Sequence, residues 1–191
     1  MFVISRIDFT QPLDPGAPRL RHAFGTPREV LAAHALHEVR GVLDAVFVAA
    51  QQGRWCVGFV RYEAAAAFDA ALLTHAADGP LAWFAVHDAP LPWPEGADGG
   101  AGDPPAQVTW TDGPDRAPFD AALAQIQQAI AAGELYQVNH TAPLHGTLQG
   151  SAPALIAALL RAQPGGYAAH IDTGGEQVLS VSPELFFDWQ D

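Results

Sequence analysis

Apolar positions recur at helical spacing in three segments of the chain. Leu36, Val39, Leu43, Val46 and Ala50, widened by Val42 and Phe47, form one stripe, and Gly53 is placed to end that helix in a left-handed conformation. Phe119, Leu123, Ile126 and Ile130 form a second, with Pro118 suited to the first turn and Gly133 to the stop. Leu155, Ile156, Leu159 and Leu160 form the third, behind Ser151 as a cap. Strand patterns lie between. Arg19 to Phe24 and Glu29 to Ala33 read as short strands, and Trp55 to Val60 and Leu81 to Val86 as buried ones. Leu135 to Leu148 reads as an extended run. Tyr167 to Asp172 and Gln177 to Val181 flank Thr173-Gly174-Gly175-Glu176, a hairpin signal. The pattern predicts an α+β fold of antiparallel sheets with packed helices.

From Asp88 to about Gln107 the periodicity stops. That stretch holds Pro90, Pro92, Pro94, Pro104 and Pro105 and the glycine-rich run from Gly96 to Gly102, which predicts a linker or surface loop. The chain therefore divides into an amino-terminal region (1–87), the linker (88–107) and a second domain (108–191).

Charge narrows the chemistry. Among 191 residues, nine cations face 21 acids, for a formal net charge of -12, and every cation is an arginine. Nucleic acid and anionic membrane surfaces would be repelled, so neither is an expected partner. With no lysine, Schiff-base formation, pyridoxal-phosphate anchoring and a P-loop are all excluded within this chain. The lone Cys56, in the apolar run from Trp55 to Val60, is read as a small buried hydrophobe. No basic segment followed by an apolar core marks a signal peptide, which makes a cytoplasmic location the expectation. His34 and His37 lie three apart, but no cysteine partner or tight carboxylate cluster accompanies the eight histidines, so no metal site is expected.

Three motifs are hard to explain by folding alone: Gly133-Glu134-Leu135-Tyr136-Gln137-Val138-Asn139 after a helix, Ser182-Pro183-Glu184-Leu185-Phe186 after a hairpin, and Gly58 to Asp69 with its Tyr62-Glu63-Ala64-Ala65 core. In this order they resemble the chorismate-using enzymes, which include anthranilate synthase and aminodeoxychorismate synthase. Tyr136-Gln137-Val138-Asn139 and the Tyr-Glu-Ala-Ala segment are more similar to component I of the latter. The resemblance implies amination of chorismate to 4-amino-4-deoxychorismate for p-aminobenzoate and folate synthesis. It also implies Mg²⁺ in the full-length enzyme and a glutamine amidotransferase subunit supplying ammonia.

The family's Pro-Ile-Lys-Gly-Thr segment, which carries the proposed lysine nucleophile, and its later magnesium and chorismate ligands have no counterpart here. No catalytic residue is carried over. The chain is expected to be an amino-terminal fragment, inactive alone. Two alternatives stand beside that reading: a fragment of anthranilate synthase component I, and a complete non-catalytic domain that binds small molecules.

Each residue singled out also has a plain structural reading. Gly133 is a helix stop, and Tyr136, Gln137 and Asn139 either line a cavity or satisfy buried backbone. Ser182, Pro183 and Glu184 could be a strand end with a turn. The resemblance further implies a tryptophan or regulatory pocket with one wall at Gly166, Tyr167 and Ala168. Arg6-Ile7-Asp8-Phe9 is the nearest candidate for the other wall, and it lacks the family's serine. Weak or absent tryptophan binding, with Tyr167 packing in the core, is the expectation.

Overall fold

The computed structural model describes residues 5–11, 14, 16–97 and 106–189. The glycine-rich end of the linker, with Pro104 and Pro105, lies outside them.

Mixed helices and antiparallel sheets give the α+β fold expected. The strands are β1 (Ser5–Phe9), β2 (Leu20–Phe24), β3 (Glu29–Ala33), β4 (Trp55–Val60), β5 (Ala82–His87), β6 (Gln107–Asp112), β7 (His145–Gln149), β8 (Tyr167–Asp172) and β9 (Gln177–Ser182). The helices are α1 (Leu36–Gln51), α2 (Arg116–Ala131) and α3 (Ala152–Ala162), with a short 3₁₀ helix over Tyr62–Ala67. The chain forms two compact units: residues 1–102 with 156–191, and residues 103–155.

The first unit is a sandwich. One sheet runs β2-β1-β8-β9 and the other β3-β5-β4, every pairing antiparallel. Strand alternation sorts the side chains. Ile7, Phe24 and Ile171 of the first sheet meet Val57, Trp83 and Ala85 of the second in a buried core. On the far side of the second sheet, Ala33 and Ala82 pack with Leu81, Ala64 and Val39 of α1. On the far side of the first, α3 buries Ile156 and Ala157. Gly58 is dictated by this pairing, because a Cβ there would lie 2.0 Å from the carbonyl oxygen of Trp83 on β5.

Both long helices end alike. The amide of Gly53 donates to Ala50 O (2.9 Å) and that of Arg54 to Ala49 O (3.2 Å). The amide of Gly133 donates to Ile130 O (3.0 Å) and that of Glu134 to Ala129 O (3.0 Å). These are Schellman caps, which need a left-handed residue at the turn; Gly53 has φ 78° and Gly133 φ 75°. At the start of α1, Ala35 has no side chain that can cap. Glu38 instead turns back to accept from the amides of His34 (2.8 Å) and Ala35 (3.0 Å). Those two bonds hold its carboxyl below the ordinary value of 4.5.

The second unit consists of the β6–β7 ribbon and α2. Here one expectation is corrected: the extended run from Leu135 to Leu148 is a strand only from His145 onward. Pro143 cannot donate to a ladder, and Tyr136 (90% exposed) and Val138 are exposed rather than packed in a core. Gln137 and Asn139 are exposed on irregular backbone rather than sharing one face of a strand.

Candidate functional site

The three motifs fall on different parts of the fold. The first follows the cap of α2, in the second unit, and exposes Tyr136, Gln137 and Asn139. The other two lie in the first unit.

Ser182 ends β9, and its hydroxyl accepts from the amide of Glu184 (3.2 Å) while donating to the carbonyl of the same residue (2.7 Å). Ser182-Pro183-Glu184 is thus a hydroxyl-closed turn that leaves Glu184 exposed. The Tyr-Glu-Ala-Ala motif forms the 3₁₀ helix behind Arg61. That arginine donates from Nε to Pro80 O (2.9 Å) and from Nη2 to both carboxylate oxygens of Glu176, with Oε1 at 2.6 Å. Its guanidinium carbon also lies 5.4 Å from the Phe59 ring. The motif is tied in this way to the turn of the β8–β9 hairpin.

Gly166, Tyr167 and Ala168 lead into β8, directly beside β1. In that register Phe9 pairs with Tyr167 and Asp8 with Ala168, so the two candidate wall segments lie on neighbouring strands. Tyr167 is half-buried, with its ring edge-on to Phe9 at 5.8 Å, and Ala168 is buried. Gly166 lies so close to β9 that a Cβ would sit 2.2 Å from Ser182 O.

Sequence reading missed the charged cluster on this face. Asp8 is buried, yet its Oδ1 lies 2.5 Å from Arg19 Nε and its Oδ2 3.3 Å from Arg21 Nε. Arg19 also donates to Thr10 Oγ1 (2.6 Å), Asp8 O (3.1 Å) and Gly166 O (2.8 Å). A cavity of about 300 Å³ opens beside this cluster and is lined by Asp8, Arg19, Arg21, Leu160 and Arg161. One signal was available: Arg19 and Arg21 are two apart on a strand and must share a face. Their acid, Asp8, lies on a strand whose charges disguised it.

A second, open cleft of about 430 Å³ lies over Val30 and Trp83, rimmed by the β8–β9 turn. The turn's amides are already used, Gly174 donating to Asp172 Oδ1 (2.8 Å) and Glu176 to Thr173 Oγ1 (3.0 Å). Two imidazoles, His87 and His170, are buried on the first unit's strands, and burial holds both below the ordinary value of 6.5. Among the described residues no three His, Cys, Asp or Glu side chains converge as metal ligands. The described side chains therefore do not fit a magnesium site. No helix among the described residues is long and apolar enough to cross a membrane.

Comparison with known proteins adds one further observation. Residues 98–191 match the family described as chorismate binding enzyme. The matched stretch is just under half of the 191-residue chain. It includes Tyr136 to Asn139 and Ser182 to Glu184, along with α2, α3, β8 and β9. The match supports an enzyme that uses chorismate. No curated protein matches the chain.

Proposed function

We propose that the protein is component I of an aminodeoxychorismate synthase, which aminates chorismate to 4-amino-4-deoxychorismate with ammonia from a glutamine amidotransferase subunit. The observation that carries this reading is the match of residues 98–191 to the chorismate binding enzymes. Tyr136-Gln137-Val138-Asn139 lies inside that match and favours this member of the family. Residues 108–191 would be the first part of the chorismate-binding domain, with 1–87 as the region preceding it. Reaction also needs groups that stabilise chorismate's two carboxylates and, on the family's pattern, a lysine nucleophile and Mg²⁺. This chain has no lysine, and its described carboxylates do not converge. Its part would be scaffold and one side of the domain.

The test has two arms. The purified 191-residue chain, given chorismate, ammonium and Mg²⁺, should form no product above a heat-killed control. Extended by a segment that carries the family's lysine and magnesium-binding motifs, and combined with an amidotransferase, it should form 4-amino-4-deoxychorismate, which a lyase converts to p-aminobenzoate. Anthranilate as the product would replace this reading with anthranilate synthase. Absence of any chorismate binding in the extended protein would favour a non-catalytic domain.

A further inference from the structure

His170 lies on β8 opposite Arg6 of β1, both buried. Arg6 Nη2 is 3.2 Å from His170 Nδ1, and His170 Nε2 is 2.9 Å from Gln177 Oε1. Arginine only donates, so Nδ1 must hold a lone pair, and the neutral ring then carries its proton on Nε2 and gives it to Gln177. Both nitrogens are thus committed to one tautomer. A second proton, on Nδ1, would point donor at donor and cation at cation.

Arg6 in turn holds residues 90–97, which cross the sheet as a strap. Leu91 pairs with Ala23, with amide-to-carbonyl distances of 2.7 and 3.1 Å. The Trp93 ring lies 4.4 Å from the guanidinium carbon of Arg21 and 5.9 Å from that of Arg6. Arg6 Nη1 donates to Ala97 O at 3.4 Å. Trp93 fills the slot between α3 and the sheet so fully that only about 10 Å³ remains beside Ile156, Leu160 and His170. Its own Nε1 is buried without a hydrogen-bond partner, which lowers the cost of withdrawing it.

We propose that His170 is a pH-sensitive latch: while neutral it holds Arg6, and through Arg6 the strap, against the sheet, and on protonation it releases the strap. The groups facing the ring fit this role. β1 brings Arg6, which opposes protonation, and Asp8, which is already engaged by Arg19 and Arg21. β8 itself brings Asp172, which favours protonation. β9 brings uncharged Gln177, α3 brings apolar Ile156 and Leu160, and the strap brings Trp93. Burial is the largest influence and keeps the ring neutral while the strap is closed. Opening lets water in and removes that constraint, so protons favour the open form.

Hydrogen-exchange protection factors test the latch in the 191-residue protein, compared at about pH 7.5 and about pH 5.5. The amides of Leu91 and Ala97, bonded to Ala23 O and Pro94 O, should lose about tenfold or more in protection at the lower pH, while those of Val57 and Ala85 hold. His170→Asn, whose amide oxygen can stand in for the Nδ1 acceptor but does not titrate, should keep the strap protected at both values. Unchanged protection in the wild type, or the same loss in His170→Asn, would overturn the latch. Should the variant not fold, the wild-type titration decides. The strap amides must open with the midpoint at which the His170 ring carbons titrate by NMR, and a separate midpoint overturns it equally.

Discussion

Nη2 of Arg61 reaches both carboxylate oxygens of Glu176, a residue 115 positions later in the chain. The pair joins the loop leading to the 3₁₀ helix with the turn of the β8–β9 hairpin, so a motif from the amino-terminal region braces a hairpin within the chorismate-binding-enzyme match. Both side chains keep a quarter to a third of their surface exposed, which screens the pair. A double-mutant cycle with Arg61→Met and Glu176→Gln should give a coupling of about 1 kcal/mol in urea unfolding. Additivity of the two changes would show that the contact does not hold the hairpin.

Gly58 should tolerate no side chain. Alanine there would bring a methyl into the backbone of β5, since Trp83 O is 2.0 Å and Phe84 Cα 2.7 Å from the Cβ position. Backbone cannot swing aside as a flexible side chain can, so β4 and β5 must part. We expect Gly58→Ala to destabilise by about 3 kcal/mol or more, or to yield no folded protein. Gly53→Ala, strained only by its positive φ, should cost about 1 kcal/mol. Equal urea midpoints for the two variants would contradict the packing.

These two positions also show what the sequence could and could not reveal. The spacing of Leu36 to Ala50 and of Phe119 to Ile130, each closed by a glycine, predicted α1, α2 and their caps, because periodicity and a left-handed stop are local properties. The strands β4, β8 and β9 were legible for the same reason. β1 was not, because Arg6 and Asp8 are charges on a buried strand, and their partners Arg19, Arg21 and His170 come from elsewhere in the chain. β6 pairs with β7 across the whole of α2, which no local pattern announces. The return of residues 156–191 to the amino-terminal unit is likewise a property of long-range pairing between β1 and β8. The motifs themselves were visible, whereas the charged cluster beside Gly166 became visible only once β1, β2 and β8 lay side by side.

Stability should fall as pH drops below about 6.5, the value an exposed imidazole takes in the unfolded chain. Burial lowers His87 and His170 in the fold, with the Asp88 carboxylate opposing the shift at His87. Between the lowered folded value and 6.5 the unfolded chain binds more protons, so folding weakens as pH falls. His87 Nε2 has no hydrogen-bond partner, and its ring lies 5.0 Å from Phe24. His87→Phe should therefore fold well and flatten part of the pH dependence. An unchanged slope of urea midpoint against pH in the variant would assign the effect to other groups.

Free tryptophan should bind weakly or not at all at the face formed by Gly166, Tyr167 and Ala168. An amino-acid ligand brings an ammonium group that needs acceptors and a carboxylate that needs donors. The acceptors near Tyr167 are already engaged: Asp8 faces Arg19 and Arg21, Gly166 O accepts from Arg19, and Gly165 O accepts from the Thr10 hydroxyl. The neighbouring aromatic slot is filled by Trp93 of the chain itself. A ligand would have to break these bonds or leave its own ammonium unpaired. Each such loss costs about 1–3 kcal/mol, or roughly ten- to a hundredfold in affinity. Tyr167, packed against Phe9, is then part of the core rather than a ligand contact. Titration calorimetry of the protein with L-tryptophan should give no heat at micromolar concentrations. Micromolar binding that disappears in Tyr167→Ala would show that Asp8 and Gly166 can be freed, and that this face is a working amino-acid pocket.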